Sequence, residues 1–359
     1  MLLGGPATRR EAAEAPTCHS LGEQDRTSEL EQQTVGDYLT GWLDEVLARE
    51  LETGLLARST AQSYRRIVLG DIIPDLGHLP IADLEPKHLR TWLAHLRERG
   101  LGDRSVVKVF GMLHRAFADS DLPTNPIYLP RRDRPRVRST REVIRPTVDD
   151  VTAWLEHILC CPESGGESLY PLWRVMATTG IRRAEACGLT WEDLEAHDGI
   201  WLLTVSRNLL IDSGTLYTGP PKSREGYRSI RLDEATAATL TAYRQATASR
   251  ETVKVETRDG HGEFDFMFRW GPTLTAMNPD TVTRLFLKEW KHTRLRPGVT
   301  LHGLRHSHGS ALLQAGMSEI EVAAHLGHNP QVLLTIYARD LDEVRRHQRL
   351  AATVERLYG

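Results

Sequence analysis

Four stretches of this 359-residue chain gather side chains able to do nucleophilic and acid–base chemistry. Thr179-Gly180-Ile181-Arg182-Arg183-Ala184-Glu185 holds guanidinium groups with a carboxylate one helical step after Arg182. Pro220-Pro221-Lys222-Ser223-Arg224 puts an ammonium group in a turn. Leu301-His302-Gly303-Leu304-Arg305-His306 sets an imidazole and a guanidinium three residues apart, and Leu326-Gly327-His328-Asn329 is followed by Tyr337, nine residues after His328. Guanidinium forks pair with phosphate oxygens and stay charged at any usable pH. Imidazole exchanges a proton near neutrality, and a phenol, with a pKa of about 10, becomes a nucleophile once its proton is removed. Singly, each has a plain structural explanation: a surface arginine, a turn lysine, a polar helix face, a half-buried tyrosine. His302, His306 and His308 could also suggest a metal cluster, but no cysteine or carboxylate stands near them at ligand spacing.

The surrounding elements have to position these groups. Residues 1–33 are polar, without an apolar helical stripe, and are expected to be a disordered tail. From Thr34, Val35, Tyr38, Leu39, Trp42, Leu43, Val46 and Leu47 recur at helical spacing. Ser59-Thr60 is the expected cap of a second helix carrying Tyr64, Ile67 and Val68. A third helix is predicted over Leu84–Leu96 and a fourth over Ser105–Phe117, making residues 34–126 a compact helical domain. Residues 127–147 form an expected linker, with Arg131, Arg132, Arg134, Arg136, Arg138, Arg141 and Arg145 opposed only by Asp133 and Glu142. A second domain, 148–340, opens with helices through Trp154 and Trp173. It continues with strands at Ile200–Val205 and Tyr227–Leu232 flanking a Gly- and Pro-rich segment, has another short apolar run at Phe264–Phe268, and is helical from Pro279. Residues 341–359 carry Leu341, Val344, Leu350, Val354 and Leu357 at roughly helical spacing. The fold class expected is mainly α with a small β-sheet.

Composition narrows the class. The net charge of -3 is unusual for a nucleic-acid binder unless the basic residues cluster, and here they do. Cys18, Cys160, Cys161 and Cys187 contain no CxxC pair, so neither a disulfide framework nor a zinc site is expected. No apolar run is long enough to span a bilayer and no signal peptide is readable, so a cytoplasmic location is expected.

Together and in this order, the four stretches resemble the tyrosine recombinase (phage integrase) family, whose pattern is TG-x-R, a hairpin lysine, H-x-x-R, LGH and a tyrosine nine residues on. Residues 76–84 and 100–106 are similar to the family's core-binding domain. The resemblance implies a helical core-binding domain before a mixed α/β catalytic domain. It implies site-specific DNA cutting and rejoining through a 3′-phosphotyrosine at Tyr337, with Arg182, Lys222, His302, Arg305 and His328 as catalytic residues and Glu185 in support. Arg182 and Arg305 are expected to clamp the non-bridging phosphate oxygens, Lys222 to protonate the leaving 5′ oxygen, and His302 and His328 to donate hydrogen bonds, His302 also helping to take the tyrosine proton. Arg104, Ser105, Lys108, Arg131, Arg132, Arg134, Arg136 and Arg138 are the expected DNA contacts. No metal or other cofactor is expected. The implied partners are double-stranded recombination sites and three further copies in a synaptic tetramer whose subunits dock through 341–359, with a directionality or DNA-bending factor left open and no membrane. The expected role is integration and excision of a mobile element near the nucleoid. A type IB topoisomerase-like enzyme and a non-catalytic DNA-binding regulator are the alternatives.

Overall fold

A computed structural model of the chain describes residues 32–138, 143–160, 169–212, 214–248, 251–258, 260–271, 273–293, 295–331, 333 and 353–358. The fold is mainly α-helical with small sheets, about 56% of the described residues being helical, and the chain divides into two units, 1–140 and 141–359.

In the first unit, α1 (Val35–Glu52) starts where Thr34 Oγ1 accepts from the Asp37 amide at 3.1 Å, and buries Val35, Leu39, Trp42, Leu43 and Leu47. α2 (Arg58–Ile67) continues through a π-turn at Val68–Ile72 into the short α3 (Ile73–Leu76). Its N-cap is Ala57, upstream of the expected Ser59-Thr60, and no side chain caps it. α4 (Pro86–Glu98) is entered through a capping box of Glu85 and His88, and α5 (Asp103–Ala118) buries Val106, Val109, Phe110, Met112, Leu113, Ala116 and Phe117. α4 starts and ends two residues later than expected, and α5 starts two residues earlier and ends one later, because the apolar stripe marks the buried face rather than the caps. Ile127 and Leu129, in the stretch expected to begin the linker, are buried in this unit's core.

In the second unit, α6 (Val148–Cys160) and α7 (Tyr170–Thr179) are followed by α8 (Arg183–Gly188). Next come β1 (Leu194–His197), β2 (Ile200–Val205), β3 (Asn208–Asp212), β4 (Thr215–Gly219) and β5 (Arg228–Arg231). β1, β2 and β5 make one antiparallel sheet. The segment between the expected strands is not merely turn-rich: β3 and β4 form a hairpin, joined through β4 to β6 (Val253–Thr257) and then β7 (Gly260–Phe264). α9 (Glu234–Ala246) lies between β5 and β6. After the short pair β8 (Arg269–Trp270) and β9 (Thr275–Ala276), the chain is helical: α10 (Pro279–His292), α11 (Leu301–Gln314) and α12 (Glu319–Leu326). Trp154, Trp173, Phe286 and Trp290 form an aromatic nucleus with Trp154 at its centre, 5.2 Å from the Phe286 ring and 5.7 Å from that of Trp173. Burying side chains of this size contributes roughly 1.5–3 kcal/mol each. This core carries α7, α8 and the start of α11, whereas Val322, Ala323 and Leu326 of α12 pack with Leu313 of α11 in a separate small cluster.

Candidate active site

Arg182 stands at the N-cap of α8, just after Gly180 ends α7 in the left-handed region (φ 61°). Glu185, in the first turn of α8, accepts from the Arg182 amide at 3.0 Å and pairs with its guanidinium at 2.6 Å. The second oxygen of Glu185 pairs with Arg228 at 2.9 Å. Glu185 is buried, which alone would raise its pKa; Arg228 and then Arg182 hold it below the ordinary carboxylate value.

Arg305 is buried on α11, and its Nη1 donates to the Gly180 carbonyl at 2.6 Å. Its Nη2 donates to the Leu326 carbonyl and lies 2.9 Å from His328 Nε2. α12 ends at Gly327, again left-handed (φ 64°), which turns the chain so that His328 faces back toward Arg305. A Cβ at Gly180 would lie 2.8 Å from His308, and one at Gly327 would lie 2.8 Å from the Glu225 carbonyl, so the turn chemistry and the close approach both call for glycine.

Three successive carbonyls at the end of α12 each take a different arginine. His325 O accepts from Arg228 Nε at 2.7 Å, Leu326 O from Arg305, and Gly327 O from Arg182 Nη2 at 2.6 Å. Helix C-termini leave such carbonyls without intrahelical donors and carry partial negative charge, so cations settle there. The effect is to fix two guanidinium groups beside an imidazole while leaving the Arg182 side chain 38% exposed to an incoming anion.

His302 is exposed on the first turn of α11, with its ring 4.2 Å from that of His306. Burial of its inner edge, then Arg305 and Arg182, lower its pKa; the same causes in the same order bring His328 down to about 3. Both imidazoles are therefore neutral near pH 7. A phosphate placed among them would raise both values again, since an anion favours the charged form.

Lys222 is exposed in the loop between β4 and β5, so it lies beyond the hairpin's last strand rather than at the hairpin tip. Tyr337 lies outside the described residues, as do Arg141 and most of 341–359. Arg104, Ser105 and Lys108 are exposed on the first turns of α5, where Lys108 Nζ donates to Ser63 Oγ at 2.7 Å. Arg131, Arg132, Arg134, Arg136 and Arg138 are all exposed. Arg134 is steadied by the Leu129 carbonyl at 2.9 Å and Arg136 by the Arg131 carbonyl at 2.6 Å.

Sequence reading missed Arg228 and the pair His308–His325, whose Nε2 atoms are 3.0 Å apart. A signal for Arg228 was present: it alternates with the buried Ile230 along β5, so it is a charge at an inward position.

Compared with known protein families, residues 147–343 match the phage integrase family. The transposase from transposon Tn916 of Enterococcus faecalis is 27% identical over 168 residues, 46% of this chain and 40% of that protein. Prophage integrase IntR of Escherichia coli (strain K12) is 26% identical over 189 residues, 49% of this chain and 44% of that protein. The chain thus aligns with about two fifths of the length of the curated relatives it matches. Among solved structures, the Tn1549 transposon integrase in complex with transposon right end DNA superposes with a TM-score of 0.70 at 22% identity, over 91% of this chain and all of that one. A lambda integrase dimer bound to a COC′ core site gives 0.62 at 17%, over 91% of this chain and 83% of that one. A lambda integrase tetramer bound to a Holliday junction gives 0.59 at 18%, over 88% and 83%. At these identities the likeness establishes the fold.

Proposed function

The chain belongs to the phage integrase family, and on that footing we infer that it is a site-specific DNA recombinase of a mobile element, cutting and rejoining DNA through a covalent link to Tyr337. The observation that carries this reading is the convergence of Arg182, Arg305 and His328 at the end of α12, with His302 close enough to feel both guanidinium charges, while the carboxylate at hand, Glu185, is already paired with Arg182 and Arg228.

The chemistry follows from the charges. Arg182 and Arg305 meet the negative charge that builds on the non-bridging oxygens as the phosphorus becomes five-coordinate. Neutral His302 accepts the phenolic proton as Tyr337 oxygen bonds to phosphorus. The bond to the 5′ oxygen breaks, and Lys222 supplies that oxygen's proton, leaving a 3′-phosphotyrosine and a 5′ hydroxyl. Rejoining runs the same steps backward with a different 5′ hydroxyl, so the ester energy is kept and no nucleotide cofactor is consumed.

The partners are double-stranded DNA carrying the recombination sites and three further copies in a synaptic tetramer, with a directionality or bending factor left open. The helical first unit is read as the core-binding domain, presenting Arg104, Ser105, Lys108 and the exposed arginines of 131–138 to DNA. The helical turn at residues 353–358, with Val354, Leu357 and Tyr358 exposed, suits the subunit contact. No described helix is long and apolar enough to cross a membrane, and the site of action is proposed as the cytoplasm, at the nucleoid.

The test is a nicked duplex from the DNA flanking the gene, incubated with wild type and with Tyr337→Phe, followed by SDS electrophoresis. An SDS-resistant adduct in wild type alone is the expected result. An equal adduct in both moves the nucleophile elsewhere; sequence-selective binding without any adduct favours a non-catalytic regulator.

A further inference from the structure

Of the two arginines that serve both Glu185 and the end of α12, Arg228 is the more buried, its side chain 6% exposed against 38% for Arg182, and each of its three nitrogens goes to a different segment. Nη2 pairs with Glu185 of α8 at 2.9 Å. Nε donates to the His325 carbonyl of α12 at 2.7 Å. Nη1 donates to the Gly226 carbonyl at 3.0 Å. Gly226 closes the loop that carries Lys222: its amide donates to Ser223 O at 3.0 Å, and a Cβ on it would lie 2.5 Å from Pro221 Cβ. Pro221 and Gly226 are buried while Lys222 between them is exposed, so the loop is pinched at its base and free at the lysine. The same loop abuts the α12 turn, where a Cβ on Gly327 would touch the Glu225 carbonyl and Arg228 Nη1.

Stability alone accounts poorly for this arrangement. A buried ion pair is often no more stabilising than an apolar replacement of equal volume, because desolvating both charges offsets their attraction. A fork spread over three segments instead fixes relative position, which a point charge could not do.

We propose that Arg228 is a positioning residue: it fastens the Lys222 loop to the Arg182–Glu185 pair and to the turn bearing His328, holding the leaving-oxygen acid in register with the phosphate clamp. This rests on the recombinase reading above. In that chemistry Lys222 matters only while the departing oxygen needs a proton, and a misplaced loop harms that step first.

The experiment uses the full chain and the nicked site carrying either the ordinary scissile phosphodiester or a 5′-bridging phosphorothiolate. A thiolate is a much weaker base than an alkoxide and departs without a proton. Arg228→Lys keeps a cation beside Glu185 but cannot span three acceptors. Cleavage of the ordinary site by Arg228→Lys should fall on the order of 100-fold, and cleavage of the sulfur site should stay within about 3-fold of wild type. Lys222→Ala should show the same pattern. Equal losses on both sites would overturn the proposal in favour of a purely structural role, and so would no loss on either. Should Arg228→Lys fail to fold by its urea unfolding curve, Gly226→Ala takes its place, shifting the loop through Pro221 while leaving the buried ion pairs in place; it should likewise be rescued by sulfur, and equal losses there would overturn the proposal. The wild-type arm separates the two failures. Wild type that binds both sites without forming an adduct overturns the recombinase reading, and this inference with it.

Discussion

Arg182 and Arg305 bring the same group to the same place but are held differently. Arg305 is buried, with its Nη atoms on two carbonyls and beside an imidazole, whereas Arg182 is partly exposed and tied to a carboxylate and one carbonyl. Arg305 therefore serves packing as well as charge. Arg305→Lys should lower adduct formation by about 100- to 1000-fold, as expected for removing a fixed donor to a developing oxyanion. It should also cost roughly 1–3 kcal/mol in urea unfolding, because the Gly180 and Leu326 carbonyls lose their donor. Arg182→Lys should reduce cleavage similarly with a smaller stability loss. Equal stability losses would show that burial does not distinguish the two. The types and spacing of both arginines were legible in the sequence; their different anchoring was not, since it depends on carbonyls brought from 125 and 145 residues away.

Among the elements, α11 and α12 are joined by the His308–His325 contact, with His308 packed beneath the Gly180 turn. Burial, then His325 and Arg305, bring the His308 pKa down to about 3 from the ordinary 6.5, and His325 is lowered as well. Between these values the unfolded chain binds a proton at His308 that the folded chain refuses, so stability is complete above about pH 6.5 and declines as pH falls. At pH 5 the His308 contribution to that decline is about 1–2 kcal/mol. His308→Phe, which keeps a ring in the space, should lose less stability than wild type between pH 7 and pH 5 by that amount. Identical pH slopes in urea unfolding would mean that His308 titrates normally. Sequence reading took His308 as part of a polar helix face, because the element that covers it, α12, is not its neighbour along the helix. The β3–β4 hairpin was missed for a related reason: Gly214, Gly219, Pro220 and Pro221 dominated the local signal, while Leu209 alone of β3 is fully buried.

Across the whole molecule, positive charge is local rather than general. The chain's net charge is -3, yet Arg131, Arg132, Arg134, Arg136 and Arg138 stand exposed within eight residues. Each arginine that neutralises a phosphate releases counterions, giving a salt slope of about -0.9 per contact. Replacing Arg134, Arg136 and Arg138 by glutamine should therefore weaken DNA binding at low salt and flatten log K against log salt by up to roughly 2.7. Binding measured by fluorescence anisotropy across a salt series tests this; an unchanged slope would remove the segment from the interface. The two units have separate hydrophobic cores, and Ile127 and Leu129 belong to the first, so the exposed arginines begin on packed structure rather than on a loose tether.

By itself, the sequence determined which functional groups this protein has, their order and spacing, and the helices whose apolar stripes build both cores, because side-chain type and periodicity are local properties of the chain. It also determined the clustering of arginine that an overall charge near zero conceals. Only the tertiary structure decided that Arg228 joins Arg182 and Arg305 at three successive carbonyls, that Glu185 is shared between two of them, and that His308 meets His325. The physical reason is that the acceptors holding the site together are mostly backbone carbonyls. Every residue has one, so none leaves a mark in the sequence; which carbonyl receives which arginine is settled only when the helix ends are brought together.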